Sequence, residues 1–382
     1  MVLRIAVVGV GSRAQHAHLP VIASMRDVWR LTAVCDINPY VSRRIGEAYH
    51  VPYYTDIEKM LAREELDVVD LCTPPDTHHI IAKIIAEHSV HILCETPIAI
   101  TLPCADFMIK AVSKAGVKME VSENYHRMLI ERARFKLLEE GIIGEVSRVY
   151  NVNYRHCYHG MSLLRLYAKS EARSVTGTCK TFSLREGKVE RWDHAIIRFK
   201  NHVVAIHDFC SPRPPIPWRR TRYIEVDGTS GCVVNDEVFS LTDKGPKKLK
   251  LRPLTVSVNG IEVPERIVID DEGKLRTVLV NPYRRYMLSD REIQTGGSLI
   301  SVADMLMSIA EAVRKETEPE YGALQARKDL ELHIAMRESS LRGSKPVKIP
   351  LTSLTRYERQ VHRRYEEKYG HKPLDDALTL TG

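Results

Sequence analysis

Residues Ile5-Ala6-Val7-Val8-Gly9-Val10-Gly11-Ser12-Arg13-Ala14 decide how the chain is read. An apolar, β-branched run reads as a buried strand, and it ends in Gly-x-Gly-x-x-Ala ahead of a helical stretch. Each small residue answers a steric need: Gly9 permits the tight turn, Gly11 lets a pyrophosphate approach the backbone, and Ala14 lets helix and strand pack closely. The helix start, with Ser12 and Arg13, offers free N–H groups to that phosphate. A second apolar run, Leu31–Cys35, leads to Asp36, an acidic residue at about the 20-residue spacing that places a carboxylate on the ribose 2′-hydroxyl. A carboxylate there repels a 2′-phosphate, so the expected cofactor is NAD. Arg43 and Arg44 argue the other way, but they follow one or two helical turns later and read as solvent-facing.

The pattern extends outward from this turn. The apolar runs Val68–Cys72, His91–Cys94 and Val117–Val121 alternate with helical stretches such as Ile80–Glu87 and Ala105–Lys114. Strand and helix in alternation predict an α/β domain with a doubly wound parallel sheet over residues 1–125. From about Val146 the runs lengthen, as in Val146–Tyr154, Ala195–Lys200 and Val203–Phe209, with turns such as Val258-Asn259-Gly260 between them. This predicts a second α/β domain over 126–350 with an open, mostly antiparallel sheet. Helices are expected at Ser301–Glu316 and Ala323–Arg342, and a charged helical extension over 351–382.

Composition narrows the function classes. Of 382 residues, 44% are hydrophobic and 27% charged, which excludes disorder as the main state. No apolar run approaches the ~20 residues of a membrane span. The N-terminal apolar run is too short for a signal peptide, so a cytoplasmic protein is expected. The net charge of +7 is modest, and the basic stretches at Arg219–Arg222 and Lys247–Arg252 lack aromatic interleaving. Nucleic acid and membrane are therefore not expected partners, while an anionic small ligand stays open. The eight cysteines form no CxxC pair, which suits a reducing compartment. His16 and His18 form an HxH, and His156 and His159 an HxxH. No carboxylate or Cys pattern completes a zinc site, and no metal is expected.

Further motifs carry a family resemblance. Thr73-Pro74-Pro75-Asp76-Thr77-His78 resembles the TPxxxH stretch of the glucose–fructose oxidoreductase, inositol dehydrogenase and rhizopine catabolism (Gfo/Idh/MocA) family. Glu95-Thr96-Pro97 stands in the place of its EKP motif. Glu120–Arg127 is similar to its crossover out of the cofactor domain, Gly141–Gly144 to its GxIG, and Ala323–Gly343 to its closing helix. The likeness covers roughly residues 3–350 and is most specific in the first half. It implies a Rossmann domain, NAD(P), hydride transfer on sugars or polyols, and homodimers or homotetramers formed through the second sheet. By position it implies that Gly9, Gly11, Ala14, Asp36, Thr73, Pro74, His78, Glu95 and Pro97 line the cofactor crevice, with Thr96 and Asn124 beside them.

Two positions depart from the family pattern. Thr96 replaces the Lys of EKP and cannot act as a base near neutral pH. In Tyr154-Arg155-His156-Cys157-Tyr158-His159, His159 matches the family His, but Arg155 replaces its Asp. His159 is the best candidate base, because an imidazole titrates near the working pH. His156, Tyr154 and Tyr125 are its possible partners. Arg155 stays charged and can hold a carboxylate or phosphate. The Pro-rich stretch around Trp218 and Arg219 is either a rigid connection or a lid wall, with Trp218 stacking on a sugar and Arg219 on an anion. The main expectation is an NAD-dependent oxidoreductase acting on a sugar, sugar acid or cyclitol. The alternatives are an NAD-retaining lyase or glycosidase working by transient oxidation, and a non-catalytic nucleotide sensor.

Overall fold

The apolar runs of the first 125 residues become parallel strands. A computed structural model describes residues 1–154, 157–183, 189–211, 222–258, 261–286 and 298–375. Strands β1 (Leu3–Val8), β2 (Trp29–Cys35), β3 (Tyr53–Tyr54), β4 (Val68–Leu71), β5 (His91–Cys94) and β6 (Met119–Val121) form one sheet in the order β3-β2-β1-β4-β5-β6. All five pairings are parallel. β1 and β4 are buried along almost their whole length, as strands covered on both faces must be. The two-residue edge strand β3 was not expected from the sequence, and it makes β4 the strand that leads into the TPxxxH stretch.

Local signals set the helix ends. Asn38 caps α2 (Pro39–Tyr49) by accepting from the Tyr40 and Val41 amides, and Pro39 occupies the first turn. Asp56 does the same for α3 (Ile57–Arg63). Gly116, in the left-handed region, ends α5 (Leu102–Ala115). Helix α4 (His78–Glu87) lies between β4 and β5. The helix after the glycine turn is irregular: Ala14–His18 is a π-helical turn leading into α1 (Leu19–Ser24).

The expected domain boundaries need correction. The chain divides into one unit of Met1–Arg127, Tyr283–Lys328 and Val361–Gly382, and a second of Met128–Pro282 and Asp329–Gln360. Two returning segments thus complete the first unit, in place of contiguous blocks 1–125, 126–350 and 351–382. The reason is polar pairing. On α8 (Ser298–Lys315), Ser301 accepts from Asn124, Asp304 from Arg127, and Ser308 donates to Glu120.

The second unit holds an eleven-stranded sheet. Its strands are β7 (Val146–Val152), β8 (Ala172–Ser183), β9 (Val189–Phe199), β10 (Val204–Ser211), β11 (Tyr223–Gly228), β12 (Gly231–Val234), β13 (Glu237–Thr242), β14 (Gly245–Val258), β15 (Ile261–Asp271), β16 (Lys274–Val280) and β17 (Val347–Lys348). The order is β16-β15-β14-β13-β12-β11-β7-β10-β9-β8-β17. Only β7 and β10 pair in parallel among the described residues. Alternate residues of β9 are buried, the pattern of a sheet packed on one face. Helices α6 (Leu129–Glu139) and α7 (Cys157–Ala168) precede and follow β7. No helix among the described residues is long and apolar enough to cross a membrane.

Candidate functional site

In the first unit the glycine turn sits at the carboxyl ends of β1 and β4, where open parallel sheets bind ligands. Gly9 has φ +85°, and a Cβ there would lie 2.7 Å from the Thr73 amide nitrogen. No atom lies within 4 Å of a Cβ placed on Gly11, so that turn opens onto free space. Asp36 ends β2 and braces the turn: one carboxylate oxygen accepts from the Val10 amide at 3.0 Å, the other from Asn38 at 2.9 Å. A carboxylate offers about four acceptor positions, so capacity remains for a ribose hydroxyl. Arg13 reaches Glu95 at 2.7 Å through Nε alone, which leaves four N–H donors on a side chain still 41% exposed. These features fit a dinucleotide: a glycine cradle, a carboxylate for the ribose, and an anchored guanidinium for the pyrophosphate.

Beneath the turn lies a charge cluster that sequence reasoning missed. His18 is fully buried, and its ring donates to Asp70 through Nδ1 and to Glu95 through Nε2, both at 2.8 Å. Burial would push the His18 pKa down. The Asp70 carboxylate and then Cys72 outweigh it, and the pKa lies well above the ordinary histidine value. Burial would raise Glu95, but His18 and Arg13 hold its carboxyl well below the usual carboxylate range. The other Glu95 oxygen accepts from the Thr96 amide at 2.7 Å and the Thr96 hydroxyl at 3.3 Å. His18, Asp70 and Cys72 bring ligand atoms within 4.8 Å of one another. With both ring nitrogens donating, however, the imidazole keeps no lone pair for a cation, so the cluster acts as a held proton. The available signal was Asp70 itself, a charge inside a fully buried strand that must have a partner.

The structure assigns several expected site residues to supporting roles. His78 is fully buried and donates to the Thr73 carbonyl at 2.7 Å; burial lowers its pKa, and it shapes the loop without lining the crevice. Asn124 is buried against Ser301. Thr73, Pro74 and Ser12 remain on accessible backbone near the turn, and Thr96–Pro97 is a cis peptide. The Tyr125 amide donates to Glu123, and its side chain is half-buried.

In the second unit, Tyr154 is corrected from candidate catalyst to core. Its hydroxyl donates to Glu131 and accepts from Arg134, and Tyr167 donates to the other Glu131 oxygen. A phenol tied into such a buried network is not free to exchange a proton with substrate. Arg165, farther along α7, forks onto Asp329 and is likewise structural. His159 is half-buried in the first turn of α7, its ring edge-on to Tyr158 at 5.9 Å. Arg155, His156, Trp218 and Arg219 lie outside the described residues.

Comparison with known proteins agrees with the first unit most closely. Residues 3–123 match the family described as oxidoreductases with an NAD-binding Rossmann fold. The chain is 33% identical over 115 residues to D-apiose dehydrogenase of Paraburkholderia graminis, covering 30% of this chain and 31% of that protein. It is 31% identical over 153 residues to inositol 2-dehydrogenase of Rhizobium meliloti, covering 39% and 44%. The chain thus spans less than half the length of these curated relatives. The fold matches a levoglucosan dehydrogenase solved with NADH and levoglucosan over 92% of this chain and 100% of that one, with a TM-score of 0.69 and 19% identity. The likeness in sequence thus lies in the nucleotide-binding unit, where residues 3–123 match the NAD-binding Rossmann domain of the Gfo/Idh/MocA oxidoreductases.

Proposed function

We propose that the protein is an NAD-dependent oxidoreductase acting on a CH–OH group of a small sugar, sugar acid or cyclitol. The crevice of the first unit carries this reading: an open glycine turn, Asp36 with acceptor capacity to spare, and Arg13 anchored on Glu95. The relatives named above are dehydrogenases of apiose, inositol and levoglucosan, all polyhydroxylated compounds, which supports the substrate class. A nicotinamide held in this crevice would supply the hydride acceptor. The protein's own residues do the rest. His159 takes the hydroxyl proton, since Thr96 cannot. Arg155 holds an anionic group of the substrate, which favours a sugar acid. Assembly as a homodimer or homotetramer through the second sheet is part of the same proposal and rests on the family resemblance.

Three measurements test this reading. Purified protein should show saturable energy transfer to NADH and form NADH from a panel of sugars, sugar acids and cyclitols; the absence of both signals would overturn the proposal. In Asp36→Ser, NADH should bind about tenfold more weakly while NADPH gains, because the carboxylate repels a 2′-phosphate. An unchanged cofactor preference would remove Asp36 from that role. In His159→Ala, kcat should fall by about 10²–10⁴ with NADH affinity unchanged. Full turnover would place the base elsewhere.

A further inference from the structure

The last part of the chain offers chemistry that the proposed reaction does not use. Helix α9 (Arg356–Tyr369) ends in the first unit, and residues 361–375 attach there at four points. Lys368 Nζ and the Tyr369 hydroxyl both donate to Asp76, at 2.7 and 2.9 Å. The fully buried His79 donates to the Pro373 carbonyl. Tyr365 is buried, with ring centroids 6.0 Å from His79 and 4.5 Å from Tyr369. His362 Nε2 lies 2.9 Å from the hydroxyl of Thr101, the residue before α5.

The targets of these contacts are specific. Asp76 belongs to the loop Thr73–His78, which follows β4 and presses against Gly9. That loop is folded on itself: the Thr77 amide donates to the Pro74 carbonyl, the Thr77 hydroxyl lies 2.9 Å from the Thr73 hydroxyl, and His78 donates to the Thr73 carbonyl. Thr101 closes the loop that follows β5 and carries Glu95 and Thr96. Both loops leave the carboxyl ends of strands at the crevice. The exposed Lys368–Asp76 pair alone would contribute little. The buried His79–Pro373 bond and the Tyr365 packing make the attachment, and the Asp76 contacts transmit it to the loop.

We infer that residues 361–375 are a strap that positions the nucleotide crevice, holding loop 73–78 against the glycine turn through Asp76 and His79. The inference deepens the NAD reading and rests on it. Apparent affinity scales with the fraction of molecules whose loop is competent, so a loop competent one-tenth of the time weakens binding about tenfold.

The test uses the full-length chain with Lys368→Met and Tyr369→Phe combined, Lys368→Arg as rescue, and a chain ending at Gln360. Three quantities are read: NADH affinity by energy transfer, amide exchange at 73–78 without nucleotide, and melting temperature. The double variant is expected to melt with wild type, bind NADH about tenfold more weakly and exchange faster at 73–78. Lys368→Arg should recover most of the affinity, and the shortened chain should lose at least as much as the double variant. If the shortened chain does not fold, the point variants decide. Wild-type NADH affinity in the double variant, or a loss with exchange at 73–78 unchanged, would overturn the strap. Wild-type protein that binds no NADH would overturn the NAD reading itself, whereas the exchange comparison, made without nucleotide, judges the strap's hold on the loop separately.

Discussion

Gly9→Ala is expected to lose both NADH binding and stability, whereas Gly11→Ala loses binding alone. At Gly9 two penalties combine. The backbone has φ +85°, which costs an L-residue roughly 1–3 kcal/mol. The added methyl would also stand 2.7 Å from the Thr73 nitrogen and 2.8 Å from the Cys72 carbonyl carbon. These are backbone atoms of the neighbouring strand end and cannot rotate away, so overpacking adds roughly another 1–3 kcal/mol. The turn must shift away from β4, carrying its amides off the phosphate position. A fall in NADH affinity of at least about 100-fold, the equivalent of ~2.7 kcal/mol, should accompany a clearly lower melting temperature. Gly11 has no neighbour within 4 Å and no positive φ, so alanine there folds without strain. Its methyl instead fills the space a pyrophosphate would take. Denaturation and NADH titration of the two variants separate the roles. Equal stability loss in both would show that Gly11 is packed in a way the turn geometry contradicts.

The contrast between these glycines shows what was legible in the sequence. Signals confined to one strand–turn–helix unit were readable: Gly9, Gly11 and Ala14 by spacing, Asp36 by its place at the end of β2. The parallel sheet was readable too, since doubly buried strands are continuous apolar runs. What failed was whatever depends on distant partners. The stripe on α8 marks a helix with a buried face, but it does not say which sheet covers that face. The answer lies in Asn124 and Arg127, each 177 residues from its partner on α8. Tyr154 looked available at a strand end. Glu131 and Arg134, on the preceding helix α6, claim it. The edge strand Tyr53–Tyr54 is too short to show a period at all. The charged character of the tail says nothing of a binding partner until Asp76 is seen beside Lys368.

His18 is where this blindness had the largest consequence, and its replacement should be among the most damaging in the protein. In His18→Leu, Asp70 keeps no cationic partner and Glu95 keeps only Arg13, both carboxylates still buried. Removing one member of a buried ionic cluster costs about 3–5 kcal/mol. NADH affinity should fall as well, because Glu95 anchors Arg13 beside the turn. The pH dependence gives a sharper signature than the loss itself. His18 is raised in the folded state, so its contribution is complete below the unfolded value of 6.5 and is lost as pH rises toward the higher folded pKa. Glu95 is depressed, so its contribution is present above its unfolded value of 4.5 and is lost as pH falls toward the lower folded pKa. The two together place greatest stability between about pH 4.5 and 6.5, with a decline of up to about 1.4 kcal/mol per pH unit on the alkaline side for one proton. Chemical denaturation from pH 5 to 9 should show this decline in the wild type. His18→Gln keeps an amide donor but has no proton to release, so its alkaline slope should flatten. A slope that survives in His18→Gln would assign the proton to another group and remove the imidazolium from beneath the glycine turn.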